Sequence, residues 1–322
     1  MDSLSPGPPE AVAAVSGPEA AAGLAAGGLV AGGLTTGAGP GSGGQAWTAG
    51  AGAGRRRVRA LLRRPTFVIS ALIVLFWVVA ALGWHLFGLD PYGNSGQALA
   101  APSWSQPFGT DQLGRSVFAR TLAGADTALA VGPLGAILAT LLGSALGVIA
   151  GYFRGWVDTA LMRVFDVLVV LPPLIFLIVV VGAFGASVPA LIVIIGVVFA
   201  PGIARIIRAT VLAEMGKKYV TTARLQGESA LRIMVTELVP NVLPTIIIQA
   251  TLSLASAILM TATLSFLGLG QQPPSPDWGL AINQNLDFIE TAWWTVIFPA
   301  LAVASLVVAV QLIADNIKET WS

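Results

Sequence analysis

The sequence contains no cysteine, one histidine and few charges, since Asp, Glu, Lys and Arg make up only 10% of its 322 residues. Without cysteine, disulfides, thiolate metal sites and a cysteine nucleophile are excluded. The single histidine and the lack of clustered carboxylates argue against a metal centre or a hydrolytic site, so we expect neither catalytic residues nor metal ligands. An average soluble domain has roughly 25% charged residues. With 55% hydrophobic residues, the composition predicts a membrane protein.

A phosphate-binding loop is also missing. The pattern G-x-x-x-x-G-K-[ST] requires a glycine five residues before its second glycine, but Val211 stands at that distance before Gly216. We therefore expect the chain to bind no nucleotide and no other cofactor.

The first 54 residues are rich in Ala, Gly, Pro and Ser, hold three acidic residues and contain no Lys or Arg. They lack the basic region and the apolar core of a signal peptide. Such a composition buries too little apolar area to offset the entropy lost on ordering, which predicts a disordered cytoplasmic tail. A docking or regulatory role of the tail is the alternative. A basic juxtamembrane segment follows at residues 55–65.

Long apolar runs predict six membrane spans in an all-α protein, because a helix crosses the roughly 30 Å hydrocarbon layer with about 20 mostly apolar residues. Residues 167–204 carry no charge, and as one helix they would extend about 57 Å. They therefore hold two spans, with a turn at residues 182–187. We expect His85 at the membrane interface and Asp126 at the edge of the second span. The predicted spans are residues 66–87, 127–152, 164–183, 188–209, 242–270 and 291–314.

The basic residues predict the orientation of the spans. With the amino terminus inside, 15 of the 17 Lys and Arg residues fall on the cytoplasmic side, and only Arg115 and Arg120 lie outside. The opposite orientation would reverse that ratio, so the positive-inside rule places both termini in the cytoplasm.

Small residues and prolines inside the spans carry two further predictions. Gly143, Gly147 and Gly151 share one helix face, where small residues let helices approach closely. Pro172 and Pro173 in the third span and Pro201 in the fourth are either hinges or kinks that neighbouring helices accommodate.

The connection at residues 217–240 is longer and more polar than a link between two spans requires. Its first part is compatible with a helix, Gly227 interrupts it, and Ser229 is placed to cap a second helix that ends before Pro240. The apolar residues of that second helix, which recur at helical spacing, are Leu231, Met234, Val235 and Leu238. The pattern predicts two short helices that form a compact knob on the cytoplasmic surface.

This segment resembles the coupling loop of ABC importer permeases, whose pattern is E-A-A, three residues, Gly, nine residues and I-x-L-P. Ala223, Gly227 and Pro240 stand at the matching positions. The chain departs from the pattern where Thr221 and Thr222 replace the leading Glu and Ala, and where Glu237 and Val239 replace Ile and Leu.

Three other segments resemble the C-type permease subunits of the dipeptide, oligopeptide and nickel importers. They are FGTDQLGRSVFARTLAGA, GYFRGWVDTALMRVFD and LSFLGLGQQPPSPDWG. The resemblance implies the six-span permease fold of type I ABC importers. It also implies four kinds of partner: a second, B-type permease, two ATPase subunits or one fused ATPase that use ATP and Mg, an external binding protein, and the lipid bilayer of a prokaryotic cytoplasmic membrane. The residues expected to dock on an ATPase subunit are Tyr219, Ala223, Arg224, Gly227, Glu228, Ser229, Arg232 and Pro240.

Several alternatives stay open at this point. The family implies a peptide substrate, but also includes carriers of nickel, haem and other small solutes. An ion-coupled secondary transporter would share the spans, yet it requires ionisable groups deep in the membrane, which the predicted spans lack. The outer segment at residues 108–125 could cover the mouth of the pathway or receive the binding protein, or its Arg115 and Arg120 could anchor at lipid headgroups.

Overall fold

The computed structural model describes residues 61–170 and 172–321, which fold into helices joined by turns and loops. The predicted tail, residues 1–54, and the basic segment up to residue 60 lie outside the described residues. Within the described part, five helices are long and apolar enough to cross a membrane, or six if a bent pair forms one span. The helices are α1 (Pro65–Gly83), α2 (Val117–Phe153), α3 (Gly155–Val170), α4 (Pro173–Phe184), α5 (Val188–Glu214), α6 (Lys218–Leu225), α7 (Ala230–Phe266), α8 (Trp278–Asn285) and α9 (Trp294–Trp321).

The bent pair is α3 and α4, whose axes meet at 89°. We predicted one span, residues 164–183, running through Pro172 and Pro173, and the structure divides that range between the two helices of this pair. Pro172 has extended backbone angles, φ −54° and ψ 129°, and Pro173 begins α4. A residue before proline is disfavoured in helical geometry, while proline fits the first turn of a helix. The proline pair therefore separates two helices instead of kinking one.

α2 has 37 residues and begins ten residues before the predicted start of the second span. Its amino end is capped by Ser116, whose hydroxyl accepts a hydrogen bond from the backbone N–H of Ala119 at 3.3 Å. At about 1.5 Å per residue α2 is about 55 Å long, well beyond the hydrocarbon thickness. Asp126, exposed on this helix, lies within α2 and not at its start.

α2 packs against α5 along the three glycines. A Cβ atom at Gly143 would lie 2.7 Å from the carbonyl oxygen of Ala200, and one at Gly147 would lie 2.7 Å from that of Ala204. At Gly151 the added atom would lie 2.7 Å from Cγ1 of Val211. The backbones of the two helices thus approach more closely than any side chain at these positions permits. α5 continues through Pro201, which is buried inside it.

α7 runs without interruption past Pro240 and Pro244, so the prediction that a coupling helix ends before Pro240 was wrong. A π-helical turn, Ile233–Leu238, ends two residues before Pro240. In an α-helix the proline ring would collide with the carbonyl four residues earlier. The wider π turn relieves that contact, and such turns commonly accommodate irregularities inside long helices.

Candidate functional site

The coupling segment, residues 217–240, rests on the carboxyl-terminal ends of α2 and α5. Its buried side chains include Val220, Ala223, Ile233 and Leu238, each no more than 6% exposed, and they belong to one apolar cluster with Val211 of α5. Burial of this cluster holds the segment against the bundle.

The turn between α6 and α7 is built by Gly227. Its φ of +76° lies in the left-handed region, where glycine carries no steric penalty. Gly227 donates its N–H to the Arg224 carbonyl at 3.0 Å, and Glu228 donates to the Ala223 carbonyl at 3.1 Å. These two bonds form a Schellman motif that satisfies the last carbonyls of α6. Ser229 then caps α7 by accepting from the N–H of Arg232 at 3.4 Å.

Polar contacts tie the segment to both spans beneath it. The Tyr219 hydroxyl donates to Glu214 Oε2 at 2.7 Å, and the Arg224 guanidinium lies 5.2 Å from the ring centroid of Tyr152 in α2. Burial and the hydrogen bond to Glu214 raise the pKa of the Tyr219 hydroxyl above its ordinary value. The hydroxyl therefore remains a donor at neutral pH. Arg232 pairs at the surface with Glu228 at 3.5 Å.

The helical spacing of the four apolar residues of this part of α7 suggested one shared environment, but the structure places them in two different ones. Met234 and Leu238 are buried, whereas Leu231 is 69% and Val235 is 56% exposed. Leu231 and Val235 are four residues apart and occupy one outward face of α7. Leu225, at the end of α6, is 84% exposed. The segment thus combines an anchored inner face with large apolar side chains that nothing in the described chain covers.

An apolar groove of about 300 Å³ lies between α2 and α7, and the hydroxyls of Thr140 and Ser253 meet nearby at 3.4 Å. Its lining residues are Pro133, Ala136, Ile137, Thr140, Leu141, Ala250, Thr251 and Leu254. Grooves of about 420 and 320 Å³ also lie between α1 and α9 and between α7 and α9. Size alone therefore marks none of them as a transport pathway.

At the opposite end of the bundle, Arg115 and Arg120 are buried, at 5% and 3% exposure. Of the alternatives left open by the sequence, anchoring of these two side chains at lipid headgroups is therefore excluded. Arg115 Nε donates to Asp111 Oδ2 at 2.7 Å, and the Arg120 guanidinium donates to the carbonyl of Ser275 at 3.0 Å. Asp111 also accepts the backbone N–H of Leu113 at 2.8 Å. This ion-pair cluster joins the loop before α2 to the loop before α8.

Trp278 joins the same two regions, and the sequence analysis missed it. Its indole N–H donates to the Thr121 carbonyl at 2.7 Å, and its ring lies 4.8 Å from that of Trp77. Asp277 before it caps α8 by accepting the N–H of Leu280 at 3.0 Å. Burial raises the pKa of Asp277. An Asp at the start of a helical run after a proline-rich stretch was the available signal for this cap.

Comparison with known proteins identifies the family. Residues 143–320, more than half of the chain, match the family described as "Binding-protein-dependent transport system inner membrane component". The chain belongs to this family. The match includes the coupling segment, the second half of the bundle and the glycines that pack α2 on α5.

Curated members of this transport family align with most of the helical part of the chain. The chain is 33% identical over 267 residues to the dipeptide transport system permease protein DppC of Alkalihalophilus pseudofirmus, covering 82% of this chain and 88% of that one. It is 39% identical over 262 residues to DppC of Escherichia coli K12, covering 78% and 87%. It is 36% identical over 239 residues to the di/tripeptide permease protein DppC of Pseudomonas aeruginosa, covering 71% and 79%. The predicted C-type subunit resemblance and the type I permease fold of ABC importers are confirmed.

Proposed function

We propose that this chain is a permease subunit of an ATP-driven peptide importer in the cytoplasmic membrane of a prokaryote. The relatives named above are dipeptide or di/tripeptide permeases. The observation that carries the mechanism is the coupling segment, because two helices joined at Gly227 combine a face anchored on α2 and α5 with exposed Leu225 and Leu231. Exposed apolar side chains rimmed by polar residues mark protein interaction sites.

Energy comes from partner subunits in this proposal. The chain has no phosphate-binding loop, so ATP and Mg bind to two ATPase subunits, or to one fused ATPase, beneath the coupling segment. A second, B-type permease completes the pathway and an external binding protein delivers the peptide. The chain itself performs no catalysis and holds no cofactor.

The basic residues near the coupling segment support the proposed orientation of the chain in the membrane. Arg205, Arg208, Lys217 and Lys218 lie at its side of the bundle, and basic residues concentrate on cytoplasmic faces. The buried cluster of Asp111 with Arg115 and Arg120 then lies on the outer face, where the binding protein docks.

Purification tests this assignment. The tagged chain is extracted in mild detergent, and the recovered proteins are identified by mass spectrometry and assayed for ATP hydrolysis. We expect a second multi-span permease, P-loop ATPase subunits and hydrolysis stimulated by a peptide-loaded binding protein. A single chain that transports solute without them contradicts the proposal, and stimulation by loaded nickel- or haem-binding protein in place of peptide would change the substrate.

Gly227 provides a variant for the coupling turn. No atom lies within 4 Å of a Cβ added there, so the cost of substitution comes from the left-handed φ alone, about 1–2 kcal/mol for most residues. Gly227→Val should reduce both peptide uptake and recovery of the ATPase subunits. Gly227→Asn is the matched control and should behave as wild type, because Asn tolerates this conformation. Normal uptake by the valine variant would count against the assigned role of the turn.

A further inference from the structure

The coupling segment is attached to the two spans beneath it at two separate polar contacts. Glu214, the last residue of α5, binds Lys217 through Oε1 and Tyr219 through Oε2, both at 2.7 Å. Tyr152, next to the end of α2, lies under the Arg224 guanidinium at 5.2 Å. One contact holds the start of α6 and the other holds its end.

The Glu214 contact fixes the angle at which α6 leaves α5. Only Met215 and Gly216 separate Glu214 from Lys217, and the Lys217 N–H also donates to the Glu214 carbonyl at 3.0 Å. The Glu214 side chain is 12% exposed, so water competes little for its oxygens. Charge-assisted hydrogen bonds in such a setting are the stronger ones.

The Tyr152 contact is a cation–π interaction, which requires a ring centroid within about 6 Å of the cation. Tyr152 packs against the apolar cluster that includes Val220 and Ala223 of α6. Its hydroxyl forms no hydrogen bond within residues 61–170 and 172–321, so the aromatic face alone carries the contact. An aromatic side chain is therefore required at this position, but a phenol is not.

α2 and α5 pack so closely at Gly147 and Gly151 that no side-chain atom fits between them. A displacement of α6 is thus applied to two helices that cannot easily separate. We propose that Tyr152 and Glu214 are positioning residues that transmit movement of the coupling segment to α2 and α5 as one body. This inference rests on the proposed function, since it requires an ATPase that moves the segment.

The test uses the complete complex in proteoliposomes with binding protein and dialanine, and measures dialanine imported per ATP hydrolysed. Tyr152→Leu removes the ring, and a cation–π contact at an exposed site corresponds to about a two- to fivefold effect. We expect this coupling ratio to fall by that factor, whereas Tyr152→Phe should retain the wild-type ratio. Glu214→Ala should lower it similarly, and Glu214→Gln, which keeps an oxygen acceptor for Tyr219, should restore most of it.

A double-mutant cycle isolates the contact itself. If Tyr152 acts through Arg224, Tyr152→Leu combined with Arg224→Gln should lower the ratio no further than the worse single variant. Additive losses would overturn the inference, as would an unchanged ratio in Tyr152→Leu or an equal loss in Tyr152→Phe.

Co-purification of the ATPase subunits shows whether a variant impairs the transmission of movement or the docking of those subunits. The ATPase subunits should co-purify with Tyr152→Leu as with wild type, and their loss would show that Tyr152 supports docking, which overturns the inference. Failure of the proposed function looks different, because the wild-type complex would then import no dialanine with ATP.

Discussion

Gly147→Ala tests the close packing of α2 on α5. The added Cβ would lie 2.7 Å from the carbonyl oxygen of Ala204, 3.0 Å from Cβ of Ile207 and 3.2 Å from Cα of Ala204. Two of these atoms belong to backbone, so no rotamer change removes the clash and the helices must move apart. Overpacking of this kind costs about 1–3 kcal/mol. Alanine, which has a better helix propensity than glycine, recovers about 0.5–1 kcal/mol, so the net loss is about 1 kcal/mol at the middle of these two ranges.

Gly202→Ala is the matched control, because Gly202 lies in α5, the helix on which Gly147 packs, and has no atom within 4 Å of an added Cβ. We expect it to be neutral or slightly stabilising. The assay is thermal unfolding of the purified protein in detergent, followed by tryptophan fluorescence. The Gly147 variant should melt a few degrees lower than wild type. Equal melting temperatures of Gly147→Ala and Gly202→Ala would refute the packing argument.

Two further predictions concern the two ends of the bundle. Leu231→Asp should abolish recovery of ATPase subunits without lowering thermal stability, because Leu231 is 69% exposed and such surface changes stay within about 0.5 kcal/mol. The control Leu86→Asp, at an 87% exposed position near the opposite end of the bundle, should retain the subunits. Retention of the subunits by both variants would contradict docking at Leu231. Asp111→Asn should destabilise the protein by about 3–5 kcal/mol, because Arg115 and Arg120 would keep their charges in a buried site without a carboxylate. Stability like that of wild type in a denaturant titration would show that the cluster does not hold the loop before α2 against the loop before α8.

The coupling turn could be predicted from the sequence because its signals are local. Gly227 supplies the left-handed residue and Ser229 the cap, and each acts on backbone groups within a few residues. Which apolar side chains of the second helix are buried and which are exposed could not be predicted. Both Leu231 and Met234 are apolar, and only the packing of the whole segment decides that Met234 joins the buried cluster while Leu231 stays exposed.

The long-range contacts escaped prediction for the same reason. Asp111 is close in sequence to Arg115 and Arg120, which it neutralises. The bonds from Arg120 to the carbonyls of Pro274 and Ser275, by contrast, exist only once the loop before α8 packs on α2. The early start of α2 had a local signal in Ser116, but the charged Asp126 set the predicted start of the span at residue 127. Pro172 and Pro173 indicated an irregularity correctly, whereas its size depended on how α3 and α4 pack.

The proposed function makes this chain part of a pathway through which ATP hydrolysis drives peptide into the cell. The most direct measurement is uptake of radiolabelled dialanine by proteoliposomes that contain the purified complex and external binding protein. We expect accumulation only when ATP and Mg are present on the side of the coupling segment. Accumulation driven by an ion gradient without ATP, or none with peptide under any condition, would contradict it.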